Sequence, residues 1–192
     1  MKKIAFVVLL AASCHSPMRG EGAAAAGPAG AALKCDSSGK NAFDTYGAAA
    51  FIAVNQSIVA NVKAELTANG PANLGSSFSK VGSGNPPSTK HDGPTFRGSL
   101  AAFLVHFYGG PDSITYIDGK TYQGVNDMKQ AHAGLGITSE QYDYFITHIV
   151  VPALLANGVK HGSGGTASPD DVGSCFAPAL TDPAFKSTFL GQ

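Results

Sequence analysis

Histidine is the residue type whose placement most suggests chemistry in this 192-residue sequence, and one of its six histidines, His132, lies in apolar surroundings. His132 follows Met128 by four residues, so their side chains would share one helix face, and Leu135 and Ile137 follow closely. Two interpretations stay open from the residues alone. One is a hydrogen-bonded core histidine, and the other is the ligand of a haem iron, which a single histidine in an apolar pocket often holds. Zinc is disfavoured, because no second histidine, cysteine or carboxylate lies at short ligand spacing.

The other five histidines favour plainer roles. His15, His91 and His161 lie in polar segments and are predicted to be solvated. His106 lies off the apolar stripe of its helix and is expected to be exposed or at a helix edge. His148 is predicted to be a hydrogen-bonded helix residue rather than a ligand.

Three amphipathic segments are predicted to form the helices around His132. Apolar residues recur at spacings of three and four in residues 42–68, 95–108 and 138–157. That periodicity is typical of helices that bury one face.

Local signals refine the C-terminal half of the chain. Thr138 and Gln141 have the spacing of a capping box, and Pro152 is expected to kink the helix that they begin. Beyond it, Pro178 and Pro183 are expected to divide the C-terminal part into short helical pieces.

Glycine-rich segments separate the predicted helices. Residues 69–94 and 109–125 show no convincing strand alternation, and residues 114–117 are the only candidate. The sequence therefore predicts an all-α fold with long loops. So much irregular backbone is typical of a domain whose core also contains a cofactor.

The first 13 residues are predicted to be a signal peptide. Lys2 and Lys3 precede an apolar run at residues 4–12, far shorter than the roughly 20 residues that span a bilayer. Small residues precede Cys14, as in a bacterial lipobox, although Ala11 stands where that motif prefers leucine. Three outcomes stay open: a lipidated Cys14, a soluble exported protein, or an ordinary cysteine in a processed peptide.

Residues 14–35 are predicted to form a lipidated or flexible Ala/Gly-rich tether, and residues 36–192 to form the folded domain. The protein would then be exported, either periplasmic or anchored to a bacterial membrane by its lipid. Exported compartments permit disulfides, so Cys35 and Cys175 either pair or remain two buried thiols.

The charge balance excludes one class of partner. Basic and acidic residues number 13 each, and removal of Lys2 and Lys3 leaves 13 − 2 = 11 basic residues, a net charge of −2. Without a basic excess the protein has no electrostatic footprint for a phosphate backbone. We therefore expect no nucleic-acid partner.

The residues around His132 resemble a motif of group I truncated haemoglobins. Residues 122–124 (Tyr-Gln-Gly) precede residues 128–138 (Met-Lys-Gln-Ala-His-Ala-Gly-Leu-Gly-Ile-Thr), where the family has Tyr-Thr-Gly and then Met-Lys-x-x-His-x-Gly-x-Gly-Ile-Thr. Residues 43–47 (Phe-Asp-Thr-Tyr-Gly) and 109–111 (Gly-Gly-Pro) are similar to two further family segments. The resemblance covers about residues 42–160. It implies a truncated globin, a two-over-two helical sandwich around haem b, with His132 as the iron ligand.

The resemblance also implies a set of apolar residues around the haem. Phe78 would pack on the haem ring near the distal side. The others would line the distal helix or surround the macrocycle: Val59, Phe96, Leu100, Met128, Ile137, Phe145 and Ile149. Ordinary core packing is the alternative for each of them, and the two roles are compatible.

Two matched positions depart from the family pattern. Many members carry tyrosine where this chain has Val59 and glutamine where it has Leu100, and those groups hydrogen-bond the gas on iron. Loss of such a donor removes about 1–3 kcal/mol, so oxygen is expected to leave faster and the iron to oxidise more readily. Gln56, three residues before Val59, would supply a donor after a small register shift.

The expected function is reversible binding of a diatomic gas, with oxygen, nitric oxide or carbon monoxide as the ligand. Nitric-oxide detoxification would need an external reductase, because the sequence encodes no flavin or nicotinamide motif. Two alternatives stay open: a haem-based redox or gas-sensing protein, and a haem-free structural lipoprotein.

Overall fold

A computed structural model of the chain describes residues 29–35, 39–78, 93–161 and 170–191. The predicted signal peptide, Cys14, His15, His91 and most of the predicted tether lie outside the described residues. Within those ranges the chain is mostly helical and contains one small sheet of two strands. None of the helices described there is long and apolar enough to cross a membrane.

Two long helices pack against each other in the first half of the fold. Helix α1 spans Ala42–Asn69 and helix α2 spans Gly93–Phe107, close to the two segments predicted from periodicity. Their apolar stripes supply much of the core, where the following side chains are buried: Phe51, Val54, Ile58, Ala101, Leu104 and Val105.

Helix α1 is broken near its start, which its periodicity did not indicate. Gly47 has φ 73° and ψ 168°, a conformation that glycine adopts without the steric cost of a Cβ. The break separates a first short helical piece from the long arm. Asn41 caps that piece by accepting the Asp44 N–H at 2.7 Å.

A hairpin follows α2, so the expectation of a purely helical fold needs a small correction. Strands β1 (Ser113–Thr115) and β2 (Thr121–Gln123) pair antiparallel, and β1 overlaps the one predicted strand candidate. The hairpin packs on α2 through glycines. A Cβ at Gly98 would collide with the Tyr122 ring, and a Cβ at Gly124 would collide with the Ala102 carbonyl.

The second half of the fold begins with short helix α3, Met128–Ala131. The predicted helix over residues 138–157 follows as three consecutive parts: helix α4 (Ser139–Tyr144), a π-helical segment (Phe145–Val150) and helix α5 (Val151–Ala156). Thr138 and Gln141 form the predicted capping box.

After residue 170 the chain is a series of short pieces, as its prolines predicted. A second π-helical segment (Val172–Phe176) leads into helices α6 (Ala177–Thr181) and α7 (Pro183–Ser187). Each of the two π segments stands just before a proline. Proline lacks an N–H, and its ring excludes the carbonyl four residues earlier. The preceding N–H instead bonds five residues back, from Val151 to Ile146 and from Ala177 to Val172. The kink predicted at Pro152 therefore takes the form of a widened turn.

Three buried or half-buried tyrosines attach this C-terminal part to the rest of the fold. The Tyr46 hydroxyl donates to the buried Asp171 carboxylate. The Tyr108 hydroxyl donates to the Phe176 carbonyl at 2.9 Å, and the Tyr142 hydroxyl donates to the Leu180 carbonyl at 2.7 Å.

A covalent bond also joins the N-terminal and C-terminal parts of the described structure. A disulfide of 2.01 Å links Cys35 and Cys175, which are 140 residues apart. Just before it, residues Ala29–Ala32 form a 3-10 helix, and Gly30 is buried where a side chain would collide with the Tyr108 ring. Residues 29–35, which belong to the predicted tether, are therefore part of the packed structure, and glycine at position 30 permits the close approach.

Removal of the disulfide is expected to destabilise the fold strongly. In the chain-entropy model, a loop of this length contributes about 5 kcal/mol. Urea unfolding of the Cys35→Ala/Cys175→Ala variant should give a free energy of unfolding lower by that order, and dithiothreitol should bring the wild type to the same value. Equal stability of oxidised wild type and variant would contradict the prediction.

Stability is also expected to fall at alkaline pH. Burial, followed by the hydrogen bond to Asp171, raises the pKa of Tyr46 to about 12. A pKa above the unfolded value of about 10 means that the neutral phenol stabilises the fold. This contribution is complete below pH 10 and is lost as the pH rises to about 12. Urea unfolding between pH 9 and 12 should show a shallower decline for Tyr46→Phe than for the wild type, and parallel curves would refute the assignment.

Candidate functional site

The residues between α3 and α4, 132–138, form a loop that we call the histidine loop. One helix cap and two glycines shape it. Asp127 caps α3 by accepting the Gln130 N–H at 3.0 Å, and His132 ends the helix as its C-cap. Gly134 and Gly136 have φ of 78° and 63°, the left-handed region that favours glycine. The Gly-x-Gly part of the motif therefore turns the chain sharply between the histidine and α4.

The imidazole of His132 is oriented by the backbone. Its Nδ1 lies 2.7 Å from the Met128 carbonyl oxygen. Because a carbonyl only accepts, Nδ1 carries the proton, and a neutral ring then has its lone pair on Nε2. Histidines that ligate metals are held in this way. The same hydrogen bond would also satisfy a core histidine, so the geometry fits both interpretations that the residues left open.

Most of the apolar residues that the resemblance places around a haem are neither buried nor exposed. The half-buried members come from several separate elements: Val59, Phe78, Phe96, Leu100, Met128, Ile137 and Phe145. Large apolar side chains elsewhere on the same helices are fully buried. Part of each of these apolar side chains therefore remains accessible.

Ile149 differs from the other members of this set. It is buried, and it lines a surface groove of about 300 Å³ between α1 and the first π segment. Asn61, Glu65 and His148 line the same groove, and the Asn61 side chain donates to the Ile149 carbonyl at 3.1 Å. The carbonyl of Ile149 therefore helps to join α1 to the first π segment.

The segment that carries Phe78 is attached to the histidine loop. The Ser77 hydroxyl donates to the Leu135 carbonyl at 2.5 Å, and Gly75 lies against the Gln141 side chain, where a Cβ would collide. Phe78 then stacks on Phe145, with ring centroids 5.2 Å apart. Two predicted site residues that are distant in sequence thus meet beside the histidine loop.

Val59 lies on α1, and Phe96 and Leu100 lie on α2. All three side chains are half-buried, and no described contact joins them to His132. Gln56 is exposed, so the register shift that would bring a donor inward does not occur.

Sequence reasoning missed Phe189. Its ring centroid lies 4.4 Å from that of His132 at an interplanar angle of 57°. Phe185 and Phe189 are four residues apart, and this spacing was the available signal. The C-terminal part is too weakly periodic for that spacing to show that these phenylalanines pack near His132.

The remaining described histidines lie in polar settings. His106 Nδ1 is 3.1 Å from an Asp112 carboxylate oxygen at the helix edge, as predicted. His161 is exposed and lies 3.0 Å from Asp170. His148 stacks on a tyrosine ring and hydrogen-bonds the Thr147 hydroxyl at 2.8 Å, which confirms it as a hydrogen-bonded helix residue. Within the four described ranges, no group of three or more histidine, cysteine or acidic residues could hold a bare metal ion.

No protein-family model, curated protein or solved structure matches this chain. A functional proposal consequently has to rest on the residues and on the geometry around His132.

Proposed function

We propose that this protein is a haem-binding globin that reversibly binds a diatomic gas, oxygen or nitric oxide, with His132 as the axial ligand. The motif at residues 122–138 carries the proposal. The hydrogen bond from His132 Nδ1 to the Met128 carbonyl supports it, because it directs Nε2 away from the backbone that holds the ring. A bound haem supplies an iron that takes up diatomic gases and changes its oxidation state.

The residues around the histidine have separable tasks in this proposal. Met128 on α3 and Ile137 on the loop after His132 lie on either side of the histidine in sequence and would cover the histidine side of a bound haem. The stacked pair Phe78 and Phe145 supplies a flat apolar surface beside that loop. Together these four side chains would form the apolar surroundings of the ligated histidine.

On the gas side, the chain offers apolar surface. Val59, Phe96 and Leu100 provide no hydrogen-bond donor, and Gln56 is exposed. The gas would therefore be held mainly by the iron itself. Turnover of nitric oxide would additionally need an external reductase.

We also infer export, with a lipid on Cys14 as the proposed anchor. The disulfide between Cys35 and Cys175 supports this, since such bonds persist in oxidising compartments. Cys14 itself lies outside the described residues.

The absorption spectrum is the decisive measurement. Purified protein, or the chain titrated with haemin, should show a Soret band that His132→Ala abolishes or shifts to the spectrum of free haemin. His148→Ala is the matched control, because that histidine lies exposed on the first π segment, and it should retain the band. Added imidazole should restore a ligated spectrum to the His132→Gly variant. A wild-type chain that leaves added haemin with the spectrum of free haemin would refute the proposal.

Oxygen release tests the apolar gas side. The double variant Val59→Tyr/Leu100→Gln introduces the polar groups typical of the resembled family. A new hydrogen bond of about 1–3 kcal/mol corresponds to oxygen dissociation about 5- to 150-fold slower than in the wild type. Stopped-flow displacement of oxygen by carbon monoxide measures both rates. A wild-type rate as slow as that of the double variant would mean that another residue donates a hydrogen bond.

A further inference from the structure

The last residues of the described chain form a strap beside the histidine loop. We define the strap as residues 182–191, which comprise Asp182, helix α7 and the turn after it. Leu190 forms a parallel bridge with Ile137, and the Gly191 N–H donates to the Ile137 carbonyl at 3.2 Å. The strap is thereby attached directly beyond the two glycines that follow His132.

A second attachment holds the other end of the strap to α4. Lys186 Nζ lies 2.6 Å from an Asp143 carboxylate oxygen and 5.7 Å from the centroid of the Tyr142 ring. An ion pair with an exposed partner contributes little stability by itself. The backbone bridge and the aromatic contacts therefore hold the strap more firmly than this charge pair does.

Between these attachments the strap places one aromatic ring on the histidine. Phe189 lies 4.4 Å from the His132 ring, 5.1 Å from Tyr142 and 5.0 Å from Phe185, measured between ring centroids. The imidazole is thus held by a backbone hydrogen bond at Nδ1 and by an aromatic ring packed against it. A hydrogen bond at one ring atom still allows the ring to turn until that bond breaks, and a ring without the bond can carry its proton on either nitrogen. A flat neighbour that restricts the turn therefore keeps both the hydrogen bond and the single tautomer.

We propose that Phe189 is a positioning residue that fixes the orientation of the His132 ring, so that the strap sets how strongly His132 binds a haem iron as its axial ligand. This inference rests on the proposed haem function for its consequence, but the orientation itself is a property of the metal-free chain. Partners that orient a ligating histidine typically change metal affinity by 10- to 100-fold.

The first arm of the test uses the full chain without haem. Long-range ¹H–¹⁵N spectra should show a single His132 tautomer, with the proton on Nδ1, in the wild type and in Phe189→Tyr. The Phe189→Leu variant keeps the apolar bulk but lacks a flat ring, and it should populate both tautomers. Phe43→Leu is the matched control, because Phe43 packs on Phe51, and it should behave as wild type. One unchanged tautomer in folded Phe189→Leu would overturn the proposal.

The second arm uses the haem-loaded chain. Transfer of haem to an excess of apomyoglobin should be about 10- to 100-fold faster for Phe189→Leu than for the wild type, and close to wild type for Phe189→Tyr and Phe43→Leu. The ferrous iron–histidine stretching band in resonance Raman spectra should shift and broaden in Phe189→Leu alone. Unchanged transfer and an unchanged band would also overturn the proposal.

The two arms separate the two proposals. Failure of the wild type to bind haem would refute the proposed function, while the first arm would still decide whether Phe189 orients His132. Circular dichroism establishes that each variant folds. If Phe189→Leu does not fold, Phe189→Met, which is also apolar and lacks a ring, takes its place.

Discussion

The hydrogen bonds from three tyrosine hydroxyls to the C-terminal part are the interactions on which the site depends. Residues 170–191 consist of short helices that proline interrupts, and short helices are marginal in isolation. Tyr46, Tyr108 and Tyr142 come from three separate stretches of chain and donate to Asp171, Phe176 and Leu180. Burial raises the pKa of each hydroxyl, so these donors stay protonated over the ordinary pH range.

This attachment positions groups well beyond the hydrogen bonds themselves. It fixes α6, and α6 leads directly into the strap that reaches His132 and Ile137. The tyrosine hydroxyls hold the C-terminal segment, that segment positions the strap, and the strap contacts the imidazole of His132. A substitution far from His132 can therefore alter the histidine through this route, without any contact with it.

Sequence periodicity located the long helices because each buries one continuous apolar face. It did not locate the break at Gly47, since the apolar stripe starts after that residue. The hairpin was mostly missed because three-residue strands are too short for alternation to be distinctive. Pro152 and Pro178 marked two interruptions, but a proline can end, kink or widen a helix, so the sequence did not predict that both would take the form of widened turns.

The candidate site was predictable to a similar extent. His132 was identifiable from its apolar neighbours and its motif, and the glycines after it serve the turn that the motif requires. Phe189 was not identifiable, because its contact with His132 spans a large separation in sequence and depends on the tyrosine attachments. Ser77 was missed for the same reason, since its bond to the Leu135 carbonyl joins two loops.

The disulfide gives the fold a mechanical property. Cys35 lies close to the start of the packed structure, and its partner lies in the second π segment. Tension between the chain before residue 29 and the chain after Cys175 passes through the Cys35–Cys175 bond, so the loop between the two cysteines is not stretched. If the N-terminus is fixed to a membrane, tension on it can detach the 3-10 helix, but it cannot peel α1 away from the core.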